Sequence, residues 1–123
     1  MTKKKKILII DDDRSLVEVL SQKLSAVGFD PVLAYNGQEG LEKVKTTKPD
    51  LILLDLIMPI MDGITMLKEL RKTSDTPVIV LTNLSNEEKL SEALKSGSHD
   101  YLIKASYSLE EIINKINQVL KGE

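Results

Sequence analysis

The stretch LILLD at residues 51–55 is apolar along four consecutive positions and ends in an aspartate. A strand buried on both faces has this pattern, whereas a strand with one solvent-exposed face alternates apolar and polar residues. The stretches ILIID at residues 7–11 and VIVLT at residues 78–82 are likewise apolar and end in a polar residue. Residues 31–35 and 101–103 are weaker strand candidates. The sequence therefore predicts five strands, three of which are covered by helices on both faces.

Amphipathic helical patterns separate the predicted strands, with apolar residues recurring three or four positions apart. The five sets are Leu16, Leu20, Leu24 and Val27; Leu41 and Val44; Ile64, Leu67 and Leu70; Leu90 and Leu94; and Ile112, Ile113, Ile116 and Leu120. Five successive strand–helix units imply a parallel sheet with right-handed crossovers. We therefore predict an α/β fold, a doubly wound five-stranded parallel sheet in the flavodoxin-like order 2-1-3-4-5 with five helices.

Local signals mark the helix boundaries. Three Ser or Asn residues stand three positions before a Glu, which is the spacing of a capping box, and glycines stand where helices should end. The pairs are Asn36–Glu39, Ser85–Glu88 and Ser108–Glu111, and the glycines are Gly28, Gly97 and Gly122. We expect Asp13 to cap the first helix, and Asp62 with Gly63 to start the third helix rather than contact phosphate.

The composition excludes several classes of protein. With no Cys and one His, the chain cannot form disulfides, thiolate zinc sites, Cys nucleophiles or multi-histidine metal sites. A net charge of −2 gives no bias toward nucleic acid or membranes. The basic run Lys3–Lys6 precedes a short strand and three aspartates rather than the apolar core of a signal peptide, and we interpret it as a solvated lead-in. We expect one soluble, cytoplasmic domain spanning residues 1–123.

Polar side chains stand at the carboxyl ends of four predicted strands. In an open α/β sheet, ligands bind beyond these ends, where the winding reverses. The residues are Asp11, Asp12, Asp55, Thr82 and Lys104. Clustered carboxylates repel one another unless a cation joins them, and Mg²⁺, or Mn²⁺ in its place, suits oxygen ligands of this kind. A phosphoryl group on Asp55 would add negative charge that Mg²⁺ and Lys104 could offset, with the Thr82 hydroxyl as a hydrogen-bond donor.

The segment DLIMPIMDG at residues 55–63 resembles the motif around the phosphoacceptor of the response-regulator receiver family, to which CheY belongs. Residues 7–13, 77–82 and 100–104 resemble the other motifs of that family, in the same order and spacing. The resemblance implies that Asp55 is the phosphoacceptor in a CheY-like fold.

The resemblance also implies roles for the matching residues. Asp12 would bind the metal directly, Asp11 through water, and Ile57 through its backbone carbonyl. Lys104 would contact the phosphoryl group. Thr82 would be the switch hydroxyl, and Tyr101 would be the aromatic switch that rotates inward. The phosphoryl group would come from the phosphohistidine of a histidine kinase or phosphotransfer protein and would later be hydrolysed, with no turnover of a small-molecule substrate.

The implied output is a changed surface on the fourth helix, fifth strand and fifth helix, recognised by an effector protein or domain. The resemblance implies a monomer or a phosphorylation-dependent dimer, and we expect no direct contact with nucleic acid or membrane. Two alternatives stay open for output, a single-domain protein that docks to a partner and a piece of a larger regulator or hybrid kinase.

Three features depart from the usual family pattern. Ala105 follows Lys104 where Pro after a cis peptide bond is usual, and we expect a trans bond and a rearranged loop because a cis bond to Ala costs about 3 kcal/mol. Asn83 follows Thr82 where a smaller residue is preferred and would narrow access. Ile57 and Leu84 occupy positions that in the family tune the attacking water, often with polar residues. We hypothesise that these two bulky apolar side chains hinder the water and so prolong the life of the phosphoryl group.

Three other functions are possible alternatives. A phosphohydrolase of the haloacid-dehalogenase kind expects a second Asp two residues after its nucleophile, where this chain has Ile57. A flavodoxin-like cofactor carrier expects a phosphate cradle in its first turn, where residues 11–14 are three aspartates and an arginine. A degenerate receiver would act as a phosphorylation-independent interaction domain; the complete set of acids, Thr82 and Lys104 argues against it, while Ala105 and Asn83 favour it.

Overall fold

The computed structural model describes residues 3–84 and 86–122, and within them five parallel strands form one sheet in the order β2-β1-β3-β4-β5. The strands are β1 (Lys6–Ile10), β2 (Asp30–Ala34), β3 (Leu51–Leu54), β4 (Val78–Thr82) and β5 (Asp100–Ile103). The helices are α1 (Arg14–Ala26), α2 (Gly37–Thr47), α3 (Gly63–Leu70), α4 (Glu87–Lys95) and α5 (Leu109–Leu120), with a 3₁₀ turn at Lys104–Ser106. The predicted fold class and strand order are confirmed.

The sheet has an apolar layer on each face, which explains why its central strands lack polar positions. Successive side chains of a strand point to opposite faces, so Leu8 and Leu54 pack with α3 and α4, while Ile7 and Leu53 pack with α1 and α5. Each fully buried Leu or Ile side chain stabilises the fold by about 1.5–3 kcal/mol through removal from water. None of the described helices is long and apolar enough to cross a membrane.

Two predicted core residues lie at the surface. Val27 follows the last residue of α1 and is half exposed, because the buried stripe of that helix consists of Val17, Leu20 and Leu24. Leu94 is also exposed, because α4 buries Leu90 and Ala93, three positions apart, rather than residues four apart. The short polar helix α4 therefore covers the sheet with a narrower apolar face than predicted.

Side-chain caps start the helices at or near the predicted positions. Asp13, Asn36, Asp62 and Ser108 each accept a hydrogen bond from a backbone N–H in the first turn, and Ser108 forms a complete capping box with Glu111. Ser85, the predicted cap of α4, lies outside the described residues. Helix α4 begins at Glu87, and its N-cap is Asn86, which accepts a hydrogen bond from the Lys89 N–H.

The ends of α3 and α4 are tied together at the edge of the sheet opposite the polar strand ends. The three predicted stop glycines all have positive φ, and Gly97 at the end of α4 has a φ of 112°. The Arg71 guanidinium, just after α3, donates hydrogen bonds from Nε and Nη2 to the Gly97 carbonyl (3.2 and 2.8 Å) and from Nη1 to the Ser74 carbonyl (3.2 Å). One arginine thus fixes the C-terminal end of α4 against α3.

Candidate functional site

Four strands deliver polar residues to one edge of the sheet. Asp11 and Asp12 follow β1, Asp55 follows β3, Thr82 is the last residue of β4, and Lys104 follows β5. Because these strands are consecutive in the sheet, their carboxyl ends lie side by side. Asp11 and Asp55 are 2% and 8% exposed, and Thr82 is buried, whereas Asp12 is exposed to solvent. The structure therefore brings together the acids, hydroxyl and ammonium predicted to form the site.

The Lys104 ammonium lies between two of the buried carboxylates. Its Nζ is 2.6 Å from Asp11 Oδ2 and 3.2 Å from Asp55 Oδ2. Burial alone would lower the pKa of Lys104, but the hydrogen bond to Asp11 and the negative charge of Asp55 outweigh it, and the net shift is upward. Lys104 therefore remains a cation and neutralises part of the acidic cluster.

The electrostatics of Asp11 show the cost of gathering acids in a buried place. Burial raises the pKa of Asp11, and the neighbouring charge of Asp55 raises it further. Hydrogen bonds from Lys104 and from the Asp13 N–H, which lies 3.0 Å from Asp11 Oδ1, oppose this shift. A divalent cation would add a stronger opposing interaction.

The donor set fits such a cation. Asp11, Asp12 and Asp55 each offer a carboxylate oxygen, and the three oxygens lie within 4.8 Å of one another. Ligand oxygens around octahedral Mg²⁺ are about 3–4 Å apart, given metal–oxygen distances of about 2.1 Å. Small side-chain adjustments would therefore let Asp11, Asp12 and Asp55 hold Mg²⁺, with water completing its coordination.

Backbone contacts hold Asp55 in position. Its N–H donates to the Ile10 carbonyl (3.0 Å), and its Oδ1 accepts a long hydrogen bond from the Ile57 N–H (3.4 Å). Gly63, at the start of α3, packs directly on it: a Cβ atom there would overlap the Asp55 carbonyl oxygen. Only glycine permits so close an approach, so Gly63 sets the position of the strand end that carries Asp55.

An open cavity of about 660 Å³ leads to Asp55. Its lining residues are Asp12, Asp55, Ile57, Thr82, Asn83, Leu84, Asn86 and Lys104. The three residues that depart from the usual family pattern near the acids, Ile57, Asn83 and Leu84, therefore all face the entrance. Asn86 was missed, because capping preference alone does not distinguish Ser85 from Asn86 as the residue that starts α4.

The neighbourhood of β5 differs in detail from the usual pattern. No cis peptide bond occurs in residues 3–84 or 86–122, so the Lys104–Ala105 bond is trans, as predicted, and Lys104–Ser106 form a 3₁₀ turn. This turn directs Lys104 to the acids. Tyr101, the predicted aromatic switch, is 37% exposed, and Thr82 Oγ1 accepts a hydrogen bond from the Leu84 N–H (3.2 Å).

Comparison with known proteins assigns this combination of fold and acidic site to one protein family. The family model described as "Response regulator receiver domain" matches residues 7–117. The chain belongs to the response regulator receiver domain family, whose general function is phosphorylation-based signalling in two-component systems. Membership decides against the phosphohydrolase and flavin-carrier alternatives.

Individual relatives and structures support the same assignment. The chain is 42% identical over 118 residues to "Probable transcriptional regulator ycf27" of Porphyridium aerugineum, covering 96% of this chain and 49% of the relative. It is 37% identical over 117 residues to "Response regulator MprA" of Mycobacterium ulcerans, covering 94% of this chain and 50% of the relative. The chain thus spans about half the length of these curated relatives.

Solved structures resemble the chain over nearly their whole length. The receiver domain of Francisella response regulator 1452 has a TM-score of 0.87 at 41% identity, covering 95% of this chain and 97% of that one. A CheY-like receiver domain protein of Methanospirillum hungatei has a TM-score of 0.92 at 26% identity, covering 98% and 96%. These similarities confirm the CheY-like fold.

Proposed function

We propose that Asp55 accepts a phosphoryl group from the phosphohistidine of a histidine kinase or phosphotransfer protein, with Mg²⁺ held by Asp11, Asp12, Asp55 and the backbone carbonyl of Ile57. The observation that carries this proposal is the Lys104 ammonium within 3.2 Å of both Asp11 and Asp55, beside three carboxylate oxygens that fit a divalent ion. These groups supply a nucleophile and the cations that it needs.

In this reaction a carboxylate oxygen of Asp55 attacks phosphorus, the phosphorus–nitrogen bond of the phosphohistidine breaks, and an acyl phosphate forms. The donor's imidazole leaves as a neutral ring when its other ring nitrogen carries a proton. Bound Mg²⁺ would offset the negative charge of the transferring group. Lys104 donates a hydrogen bond to a phosphoryl oxygen from a position that the Asp11 carboxylate already fixes. Thr82 donates its hydroxyl proton to a second phosphoryl oxygen.

Signalling follows from a shift between two arrangements of the same residues. We propose that the phosphoryl group draws Thr82 toward it and that the half-exposed Tyr101 ring turns inward to fill the vacated space. Phosphate shifts the population only because it binds one arrangement better than the other. The surface of α4, β5 and α5 then differs for an effector, or for a second copy in a phosphorylation-dependent dimer.

The extent of the domain, its location in the cell and its effector are also proposed. We treat residues 1–123 as one receiver domain in the cytoplasm, where a kinase can reach Asp55. Because the curated relatives are about twice as long, the effector is proposed to be either a further part of the same protein or a separate partner. Direct contact of this domain with nucleic acid or membrane is not expected.

A degenerate receiver remains the second candidate, and Asn83 at the cavity entrance is the observation that favours it. Such a domain would present a fixed surface without accepting phosphate. The position of Lys104 against Asp11 and Asp55 favours the phosphorylated alternative, because a degenerate site has no need for an ammonium fixed between two buried carboxylates.

One experiment separates the two candidates. The chain is incubated with phosphoramidate and Mg²⁺, and its intact mass is measured. We expect a single phosphate adduct that is absent in Asp55→Asn and without Mg²⁺, but retained in Asp30→Asn, an exposed aspartate at the opposite edge of the sheet. An unlabelled wild-type chain, or an adduct that persists in Asp55→Asn, would contradict the proposal.

A further inference from the structure

A cavity of about 320 Å³ lies at the amino-terminal edge of the sheet, between the end of α2 and the loop that follows α3. Lys45 and Lys48 line it from the side of α2, and Thr73, Ser74 and Thr76 line it from the loop. Its volume is at the lower end of the range of about 300–1,000 Å³ that is typical of small-molecule sites. Two ammonium groups and three hydroxyl groups thus border one concave space.

The charges of the two lysines are not balanced by nearby acids. Among the residues that the structure describes, Lys45 and Lys48 form no ion pair, whereas five other lysines do. None of the described residues that line the cavity is acidic. Asp75 lies in the same loop, but its negative charge acts on Arg71, where it opposes the lowering of the pKa that burial causes. The local charge is therefore positive.

The backbone of Lys48 is a second, independent sign of function. Its φ is 50°, in the left-handed conformation that commonly ends a helix, and its N–H donates to the Val44 carbonyl (3.1 Å). Glycine is the usual residue in this conformation, and Gly28 and Gly97 have it after α1 and α4. The dipole of α2 favours a cation at this end, but Lys45 in the last turn already supplies one. A lysine in place of glycine therefore suggests that the ammonium is needed here.

The loop across the cavity offers hydroxyl protons on a fixed backbone. Ser74 Oγ and Thr76 Oγ1 are 2.7 Å apart and share one hydrogen bond, and Ser74 Oγ also accepts from the Thr76 N–H (3.1 Å). One hydrogen bond between two hydroxyls uses only one of their two protons, so the other proton can be donated to a ligand. The Arg71 guanidinium holds the loop by donating to the Ser74 carbonyl (3.2 Å).

We propose that this cavity binds a diphosphate group, either as free diphosphate or as part of a nucleotide. Ammonium groups donate charge-assisted hydrogen bonds to phosphate oxygens, and the loop hydroxyls donate neutral ones. An anion with oxygens on two phosphorus atoms can contact both walls of the cavity, whereas a carboxylate has only two oxygens. The inference does not depend on the proposed phosphorylation of Asp55, which lies at the other edge of the sheet.

The test measures the binding of inorganic diphosphate to the full chain by isothermal titration calorimetry and locates the ligand by NMR shifts of backbone amides. Divalent metal is left out, because it would draw diphosphate to the acids at the other edge. The variants are Lys45→Gln, Lys48→Gln and Lys48→Gly. Lys95→Gln is the matched control, since Lys95 is an exposed lysine in the last turn of α4.

We expect the wild-type chain to bind diphosphate with its largest amide shifts in the loop after α3. Lys45→Gln and Lys48→Gln should each weaken binding by about tenfold, the loss of a hydrogen bond to a charged group. Lys95→Gln should bind as the wild-type chain does, and added salt should weaken binding throughout. Adenosine diphosphate, titrated in parallel, identifies the source: tighter binding than that of diphosphate indicates a nucleotide, and equal binding indicates the free anion.

Lys48→Gly separates a role in binding from a role in the fold. It should bind diphosphate as weakly as Lys48→Gln does, yet unfold at a higher Tm than Lys48→Gln, because glycine adopts a φ of 50° without strain.

Three results would overturn the proposal. The first is a wild-type chain that shows neither heat nor amide shifts up to about 10 mM diphosphate, a concentration that even a weak specific site would fill. The second is unchanged affinity in both Lys45→Gln and Lys48→Gln. The third is a set of shifts confined to the residues around Asp55, which would place the anion at the other edge of the sheet.

Discussion

At the scale of single residues, Lys104 supplies the positive charge that balances the acids of the site. Replacing it in Lys104→Met leaves the buried Asp11 and Asp55 carboxylates without their cation, and we expect the free energy of unfolding in the absence of divalent metal to fall by about 3 kcal/mol. Urea denaturation measures this change. Lys115→Met removes the cation of the Lys115–Asp100 ion pair, which is more exposed than the pairs of Lys104. This change should lower the free energy of unfolding by less than about 1 kcal/mol. Equal losses in the two variants would contradict the prediction.

The backbone strain at Ile60, whose φ is positive, gives a second prediction for a single residue. Glycine adopts a φ of 71° freely, so Ile60→Gly should raise the free energy of unfolding by about 1 kcal/mol after the flexibility of the unfolded glycine is deducted. Ile57→Gly, in the same loop but without positive φ, should lower it. Thermal or urea unfolding of both variants decides the matter, and a destabilised Ile60→Gly would show that the turn is not strained.

Ile57 and Leu84 bear on how long the phosphoryl group survives. Both line the cavity through which water must reach the acyl phosphate, and apolar side chains there exclude and misalign it. We expect slow decay of the phosphorylated protein and a decay about three- to tenfold faster in Ile57→Asn, whose amide can orient water. The decay is followed by intact mass after the donor is removed. Loss of the wild-type phosphoryl group within seconds would defeat the hypothesis.

At the scale of elements, the caps make separable contributions to stability. Ser108 satisfies the Glu111 N–H at the start of α5, and Glu111 in turn accepts from the Ser108 N–H. Ser108→Ala should therefore lower the free energy of unfolding by about 1 kcal/mol. Ser106→Ala, two residues earlier in the exposed 3₁₀ turn, should change it by less than half as much. If the two variants unfold alike, the capping box does not stabilise α5.

The elements were predictable where apolar patterning is strong. The three central strands agree with the structure to within one residue, because burial on both faces leaves no polar position in them. Val27 and Leu94 were assigned to buried faces by spacing alone, which does not show where a helix ends or how wide a face its neighbours cover. The start of α4 was misplaced because adjacent Ser and Asn residues satisfy the same capping rule.

At the scale of the whole molecule, parallel topology gathers residues that are far apart in the chain. The rule that ligands bind beyond the carboxyl ends of strands was enough to predict the meeting of Asp11, Asp55 and Lys104. Spacing could not show that Lys104 lies closer to Asp11 than to Asp55, or that Ile60 has positive φ. Both depend on loop geometry that several elements determine together.

The metal proposal has a consequence for the stability of the whole fold. An ion that binds only the folded state raises the free energy of unfolding, by about 1.4 kcal/mol at ten times its dissociation constant. We expect Mg²⁺ to raise the Tm of the wild-type chain, and to raise that of Lys104→Met more, since the ion then replaces a missing cation. Asp12→Asn, at an exposed position, should abolish the effect while leaving the metal-free Tm nearly unchanged.

Controls make that measurement decisive. Asp30→Asn should respond to Mg²⁺ as the wild-type chain does, because Asp30 lies at the start of β2, away from the acids. A Mg²⁺-induced rise in Tm that survives in Asp12→Asn would place the ion elsewhere on the molecule.

Two hydrogen bonds from the Arg71 guanidinium to the Gly97 carbonyl hold the C-terminal end of α4, and a third, to the Ser74 carbonyl, steadies the guanidinium itself. The last turn of α4 is fastened through Gly97, so a tilt of this helix has its smallest amplitude there and its largest at Asn86. The two ends of α4 are about 14 Å apart, since the helix has nine residues and rises about 1.5 Å per residue. Since Asn86 borders the cavity of Asp55, we expect a change at that site to move the Asn86 end of α4 more than its Gly97 end.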